Sequence, residues 1–212
     1  MKKKLLGYYD YTVILTYVGM LFAFWGITQA IGLHFEKAMI GLMFAGICDM
    51  FDGTVANTKD RTVPEKRFGI QIDSLCDLIG FGVLPGLFLY MFMGGGVVPG
   101  FIAGLYILCG LIRLAYFNVT EEERQDSTTE TRKLYQGIPV TTVALALPLV
   151  FWIYDFGILP EIAFPILLLL LAIGFISPLK VQKPGNVGKI FVILIGVANF
   201  VIIARDLLFL NK

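Results

Sequence analysis

The chain has 212 residues, enough for one domain, and a formal net charge of +1. Its residues are 57% hydrophobic and 16% charged, against about 45–50% and 25% in soluble domains, and the mean hydropathy is +0.79. That balance excludes an ordinary soluble protein, leaves no charge excess to recruit a nucleic acid, and describes an integral membrane protein. Apolar stretches at 11–33, 37–56, 68–93, 100–118, 137–154, 161–177 and 187–210 predict about seven membrane helices. The sixth is short, which widens the count to six to eight, and several approach the roughly 20 residues that span a bilayer core. The first stretch is too long for a cleavable signal peptide. Gly94-Gly95-Gly96 and Pro99 end the third. The segment 119–136 is rich in Glu, Thr and Arg, and 121–133 is expected to be a solvated loop. Glu36, Glu161, Arg205 and Asp206 read as interfacial residues. No internal repeat or low-complexity tract is visible.

The basic residues orient the spans. With the N-terminus in the cytoplasm, 14 of the 17 Lys and Arg residues fall on that side, among them Lys2, Lys3, Lys4, Lys59, Arg61, Lys66 and Arg67. Lys37, Arg205 and Lys212 fall on the other.

At the boundary so defined lies the stretch 48–77, CDMFDGTVANTKDRTVPEKRFGIQIDSLCD, with Asp49, Asp52, Asp73 and Asp77 in two pairs. Spacings of three and four place each pair on one face of a helix. Carboxylates at the end of a membrane span are costly and mark function by default. Four this close repel unless cations neutralise them. With only oxygen ligands, one histidine (His34) and no metal-type spacing among Cys48, Cys76 and Cys109, hard ions are favoured: Mg²⁺ or Mn²⁺, two ions being able to clamp a phosphate. The cysteines read as free, packed thiols. Gly53 and Gly69 allow a ligand or helix close to the backbone. The bland alternative makes the aspartates ordinary caps and loop residues.

The stretch resembles the signature of the CDP-alcohol phosphotransferase family, D-x-x-D-G-x-x-A-R followed by a spacer and G-x-x-x-D-x-x-x-D. Asp49, Asp52, Gly53, Ala56, Gly69, Asp73 and Asp77 match in order. The pattern departs at Asn57, which stands in the arginine position, and at the eleven residues between Asn57 and Gly69, a longer spacer than the family's usual one. Arg61, Lys66 and Arg67 are candidates to replace the missing arginine. Phe81-Gly82-Val83, the run from Arg113 to Val119 and Gly137-Ile138-Pro139 are similar to the phosphatidylserine synthase branch.

The resemblance implies a single membrane domain over 1–212, an all-α polytopic bundle with a polar cavity facing the cytoplasm, and a homodimer. It implies metal at Asp49, Asp52, Asp73 and Asp77, with Asp77 as the general base beside the metal. Thr12, Asp52, Gly53, Ala56 and Gly69 would hold the nucleotide. Thr12 otherwise reads as a back-bonded structural residue. Arg113 either snorkels to the headgroups or, with Asn118 and Arg67, binds a phosphate or the carboxylate of the acceptor. The reaction implied is transfer of a phosphatidyl group from CDP-diacylglycerol to L-serine at the cytoplasmic side of the cell membrane. Alternatives are another acceptor, such as glycerol 3-phosphate or an inositol phosphate, and, from a different class, a cation transporter.

Overall fold

The structure, a computed structural model, describes residues 6–127 and 134–182. The basic head at Lys2, Lys3 and Lys4 and the expected seventh span at 187–210 lie outside the described residues. The first two helices, α1 (Tyr11–Ile31) and α2 (Phe35–Ala56), form an antiparallel hairpin. Asp10 starts α1 as its N-cap, its Oδ1 accepting from the Thr12 N–H at 2.9 Å and from the Thr12 hydroxyl. The hairpin is tight because small residues face each other along it. A Cβ on Gly41 would lie 2.7 Å from the Gly26 Cα, and one on Gly19 would lie 3.0 Å from the Cys48 Cβ. Without a hydrophobic drive between helices in lipid, such backbone contact is a main source of their association.

The third apolar segment is one continuous helical rod of three parts. It comprises α3 (Val63–Asp77), a π-helical turn (Leu78–Val83) and α4 (Leu84–Phe92). It starts five residues earlier than the apolar pattern at 68–93 predicts. Thr62 and Glu65 form a capping box, and a proline sits in the first turn. The π turn has a local cause. Pro85 has no N–H to offer the Phe81 carbonyl four residues back. The Tyr106 hydroxyl donates to that carbonyl at 2.6 Å instead, and the Leu84 N–H reaches back five residues to the Ile79 carbonyl.

The next helix, α5 (Val97–Ser127), runs nine residues past the expected end at 118. This corrects the solvated loop expected at 121–133, at least as far as Ser127. The charged turn is kept helical by Arg124, which donates two bonds to Glu121 at 3.0 and 2.6 Å, and by the Gln71 amide of α3, which donates to Glu122 at 3.3 Å. After it come β1 (Leu134–Gln136), a 3₁₀ turn (Val140–Thr142), α6 (Val143–Asp155), α7 (Ala163–Ile176) and β2 (Lys180–Gln182). The strands pair antiparallel over three residues and tie the start of α6 to the end of α7. There Gly137 adopts φ +73°, and a Cβ on it would meet the Phe175 carbonyl at 2.5 Å.

Among the described residues, four helical segments are long and apolar enough to cross a membrane: Tyr11–Ile31, Phe35–Ala56, Val63–Phe92 and Val97–Arg124. The helices alternate in direction, so the two ends of the bundle differ. One end gathers Phe35, Phe88, Phe92, Phe151, Tyr154 and Phe164 into an aromatic cluster with neighbouring ring centroids 4.6–6.4 Å apart. At the other end lie the start of α1, the end of α2, the start of α3 and the polar end of α5.

The glycine contact gives a direct test. Gly41→Ala forces α1 and α2 apart and is expected to destabilise the protein by about 1–3 kcal/mol, the usual range for overpacking. Gly104→Ala, where a Cβ meets nothing within 4 Å, should leave stability equal or slightly raised, since Ala favours the helix. Thermal midpoints in one detergent compare the two; equal midpoints for G41A and the parent would remove the contact from the account of the fold.

Candidate active site

The last two turns of α2 carry Asp49 and Asp52, and the middle and end of α3 carry Asp73 and Asp77. The two helices face each other so that Asp49 comes within hydrogen-bonding reach of Asp77, and Asp52 of Asp73. One carboxylate oxygen from each of Asp49, Asp52 and Asp73 lies within 4.8 Å of the others. Asp77 stands outside that trio, beside Asp49. All four are half-buried. They line an open recess together with Thr16, Cys48 and Cys76.

Thr16 is a residue that sequence reasoning missed. It is nearly buried, at 9% exposure, and its hydroxyl donates to Asp52 Oδ2 at 3.2 Å. Its position one turn beyond Thr12 on the same face of α1 was the available signal. Thr12 itself is buried with its hydroxyl committed to Asp10.

The other named residues divide into those near the carboxylates and those away from them. Arg113 is 9% exposed, so the snorkelling alternative does not hold. Its guanidinium lies 5.6 Å from the Phe117 ring centre and acts electrostatically on Asp49 and Asp77. Asn118 is engaged with α3: its Oδ1 accepts from the buried Ser74 hydroxyl at 2.7 Å, and its amide donates to Gln71 at 3.3 Å. Ala56 is half-buried at the end of α2, and Arg67 is exposed on the first turns of α3. Gly53 presents open backbone, since a Cβ there would meet nothing within 4 Å. Over Gly69 lies Arg61, whose Nη1 would be 2.9 Å from a Cβ at that position.

Between α2 and α3 the segment 57–62 is held at both ends. Lys59 Nζ donates to Asp10 Oδ2 at 2.7 Å and to Glu65 Oε1 at 3.5 Å. Glu65 Oε2 in turn accepts from the Thr62 N–H at 2.7 Å and from the Thr62 hydroxyl at 2.8 Å. The Thr58 hydroxyl donates to the Val55 carbonyl at 2.7 Å and meets the Tyr11 hydroxyl at 3.2 Å. The beginning of α1 is thereby tied to the beginning of α3.

A family profile for CDP-alcohol phosphatidyltransferases matches residues 11–177. The chain belongs to the CDP-alcohol phosphatidyltransferase family. It is 34% identical over 136 residues to the CDP-diacylglycerol–serine O-phosphatidyltransferase of Saccharomyces cerevisiae, covering 63% of this chain and 48% of that one. It is 31% identical over 137 residues to the Helicobacter pylori protein of the same name, covering 64% and 52%. The archaetidylserine synthase of Methanothermobacter thermautotrophicus is 27% identical over 154 residues, covering 72% and 61%. The chain spans about half the length of the yeast and Helicobacter relatives it matches. Membership in a transferase family removes the support for a cation transporter.

The donor set fits the hard divalent metal such a transferase calls for. Among the described residues the clustered ligands are carboxylates alone, with a hydroxyl beside them. Oxygen ligands about 2.0–2.6 Å from a cation lie at separations like those in the trio.

The charge web yields a prediction. Asp10 has its carboxyl lowered from 3.8 to about 2, chiefly by the hydrogen bond from Lys59. A carboxyl with a depressed folded-state pKa stabilises above its unfolded value and ceases to do so as pH falls through the folded one. Asp10→Asn keeps the N-cap but loses the charge, so the parent's stability advantage over D10N should be constant above about pH 4 and close between pH 4 and 2. Thermal midpoints across that range test it; a gap unchanged at pH 2 would show that the Asp10 charge does not tie the two helix starts together.

Proposed function

We propose that the chain is a metal-dependent phosphatidylserine synthase of the cell membrane, a single domain over 1–212 whose recess opens to the cytoplasm. The observation that carries this is the meeting of Asp49, Asp52, Asp73 and Asp77 across α2 and α3, in a chain of this family. The relatives support the acceptor: phosphatidylserine and archaetidylserine synthases differ in their lipid but share serine in their names. The concentration of Lys59, Arg61, Lys66, Arg67 and Arg124 toward the aspartate end supports the cytoplasmic orientation. We take the bundle to cross the bilayer about seven times and to work as a homodimer, as the family resemblance implies.

Asp49, Asp52 and Asp73 would hold Mg²⁺ or Mn²⁺, as two ions, with Asp77 at the edge of the set. Bound there, the metal supplies positive charge against the pyrophosphate and the leaving phosphate, the main source of catalysis in phosphoryl transfer. CDP-diacylglycerol enters sideways from the bilayer, and its cytidine lies against Gly53 and Ala56, where the open backbone of Gly53 permits close approach; Gly69 borders the same nucleotide site beneath Arg61. Thr16 holds Asp52 in place, and Thr12 shapes the same end of α1 through Asp10. Asp77 takes the proton from the serine hydroxyl. The serine oxygen then bonds to the phosphorus that carries diacylglycerol, the bond from that phosphorus to the bridging oxygen breaks, and CMP leaves. Phosphatidylserine and CMP are the products.

Arg113, buried beside Asp49 and Asp77, is positioned to receive the serine carboxylate near the base. Asn118 contributes by fixing α5 against α3 through Ser74 and Gln71.

Two experiments divide these roles. Chelation should abolish CMP release, and Mg²⁺ or Mn²⁺ should restore it. Asp73→Asn should weaken metal and CDP-diacylglycerol binding together with turnover. Asp77→Asn should bind both normally while turnover falls about 10²–10⁴-fold, the usual size of general-base catalysis. Calorimetry with Mg²⁺ present reads the difference; binding lost as fully in D77N as in D73N makes Asp77 a ligand rather than the base. Separately, Arg113→Lys loses the bidentate fork and should raise KM for serine more than KM for CDP-diacylglycerol. Equal rises, or a parent enzyme that prefers glycerol 3-phosphate, would count against the serine assignment.

A further inference from the structure

Arg61 is the basic residue of the 57–62 segment whose charge acts on the aspartate cluster, at Asp52, and its circumstances are unusual. It is half-buried, and among the described residues no carboxylate lies within 4.0 Å of its guanidinium and no hydrogen bond engages it. Its neighbour Lys59, by contrast, is paired twice. Among the described residues nothing on the loop competes for Arg61, and the loop that carries it is anchored. Lys59 and the Thr62–Glu65 cap fix the chain on both sides of it. Its Nη1 lies over Gly69, at a place any larger residue would occupy.

The site beneath it makes this placement meaningful. Gly69, Asp73 and Asp77 are four residues apart on one face of α3. Arg61 over Gly69 therefore lies about one turn, roughly 6 Å along the helix, from Asp73. It is close enough for its charge to act on Asp52. A half-buried guanidinium with no described partner, about one turn from a cluster of carboxylates, is matched to an anion that also reaches a cation held by that cluster.

We propose that Arg61 receives a phosphate of the nucleotide diphosphate, from a seat over Gly69, and so does in this chain what an arginine at position 57 would do if Asn57 were replaced. The longer segment between Asn57 and Gly69 is what allows a residue four positions on to fold back across α3. This rests on the proposed function, since it presumes a cytidine nucleotide in the recess.

The test is nucleotide and metal binding by the full chain in detergent, with CDP as the probe and Mn²⁺ as the metal. Arg61→Gln should weaken CDP binding in the presence of Mn²⁺ by about 10- to 100-fold, the loss of a charged hydrogen-bonded contact. Arg61→Lys, which keeps the charge without the fork, should fall between. Removing a positive charge beside Asp52 should leave Mn²⁺ affinity without CDP equal or higher, as read by electron paramagnetic resonance. A purely structural role for Arg61 would lower both affinities together. Gly69→Ala displaces the guanidinium and should weaken CDP binding in the parent but add nothing in R61Q. Parent-like CDP affinity in R61Q, a parallel loss of Mn²⁺, or equal G69A effects in both backgrounds would overturn the proposal. A parent chain that fails to bind CDP at all would instead defeat the proposed function, and this inference with it.

Discussion

Four carboxylates on two facing helices are the constraint to which the rest of this structure answers. Side by side in a partly buried recess, Asp49, Asp52, Asp73 and Asp77 repel one another, and left to themselves α2 and α3 would separate. The fold holds them from several directions. The glycine contacts at Gly19, Gly26 and Gly41 lock α2 onto α1 from the residue beside Asp49 back to about three turns before it. The Asp10–Lys59–Glu65 web fixes the start of α3 to the start of α1. Asn118 anchors α3 to α5 through Ser74, only one residue from Asp73. None of these groups is a carboxylate of the cluster, and each removes a way for the cluster to relax by moving apart.

The rod that carries Asp73 and Asp77 shows how a local defect serves the same end. Pro85 would leave the Phe81 carbonyl unsatisfied, and a bare carbonyl in an apolar core is costly. Tyr106, fully buried on α5, supplies the missing donor. The π turn that accommodates the proline begins at Leu78, directly after Asp77. Such single-turn π segments are frequent at functional sites, since they re-aim the side chains beside them. Here the turn separates a polar half of the rod, facing the recess, from an apolar half that ends in the aromatic cluster.

Much of this was legible in the sequence, and the misses have physical reasons. The first four apolar runs located the four long helices because lipid leaves few alternatives to a helix. The spacing of the aspartates fixed their faces, though not which would meet. That pairing depends on how α2 and α3 cross, which no periodicity encodes. The start at Val63 was encoded, in Thr62, Pro64 and Glu65, but the eye follows hydrophobicity and these residues have none. The end of α5 was misread for the same reason: 119–127 looks like loop by composition, while Glu121 and Arg124 stabilise one another only once the segment is helical. For Arg113 the sequence left two readings open. A guanidinium in an apolar run snorkels or is buried according to what stands opposite, and what stands opposite is a carboxylate cluster on other helices.

The balance of charge links the metal to the substrate. Arg61 and Arg113 offset half of the formal charge of the four aspartates, leaving an excess that one divalent cation would cancel. A second cation, on the proposed reading, makes the recess net positive unless an anion comes with it. A pyrophosphate is such an anion. On that reading the substrate would complete the recess: the second metal and the nucleotide would each bind better in the presence of the other, as linkage requires of two ligands that neutralise a shared field. The same arithmetic separates the two arginines. Arg113, deep beside Asp49 and Asp77, stabilises the acids themselves and the region of the proposed base. Arg61, over Gly69, would add positive charge where, on the proposed reading, the nucleotide arrives.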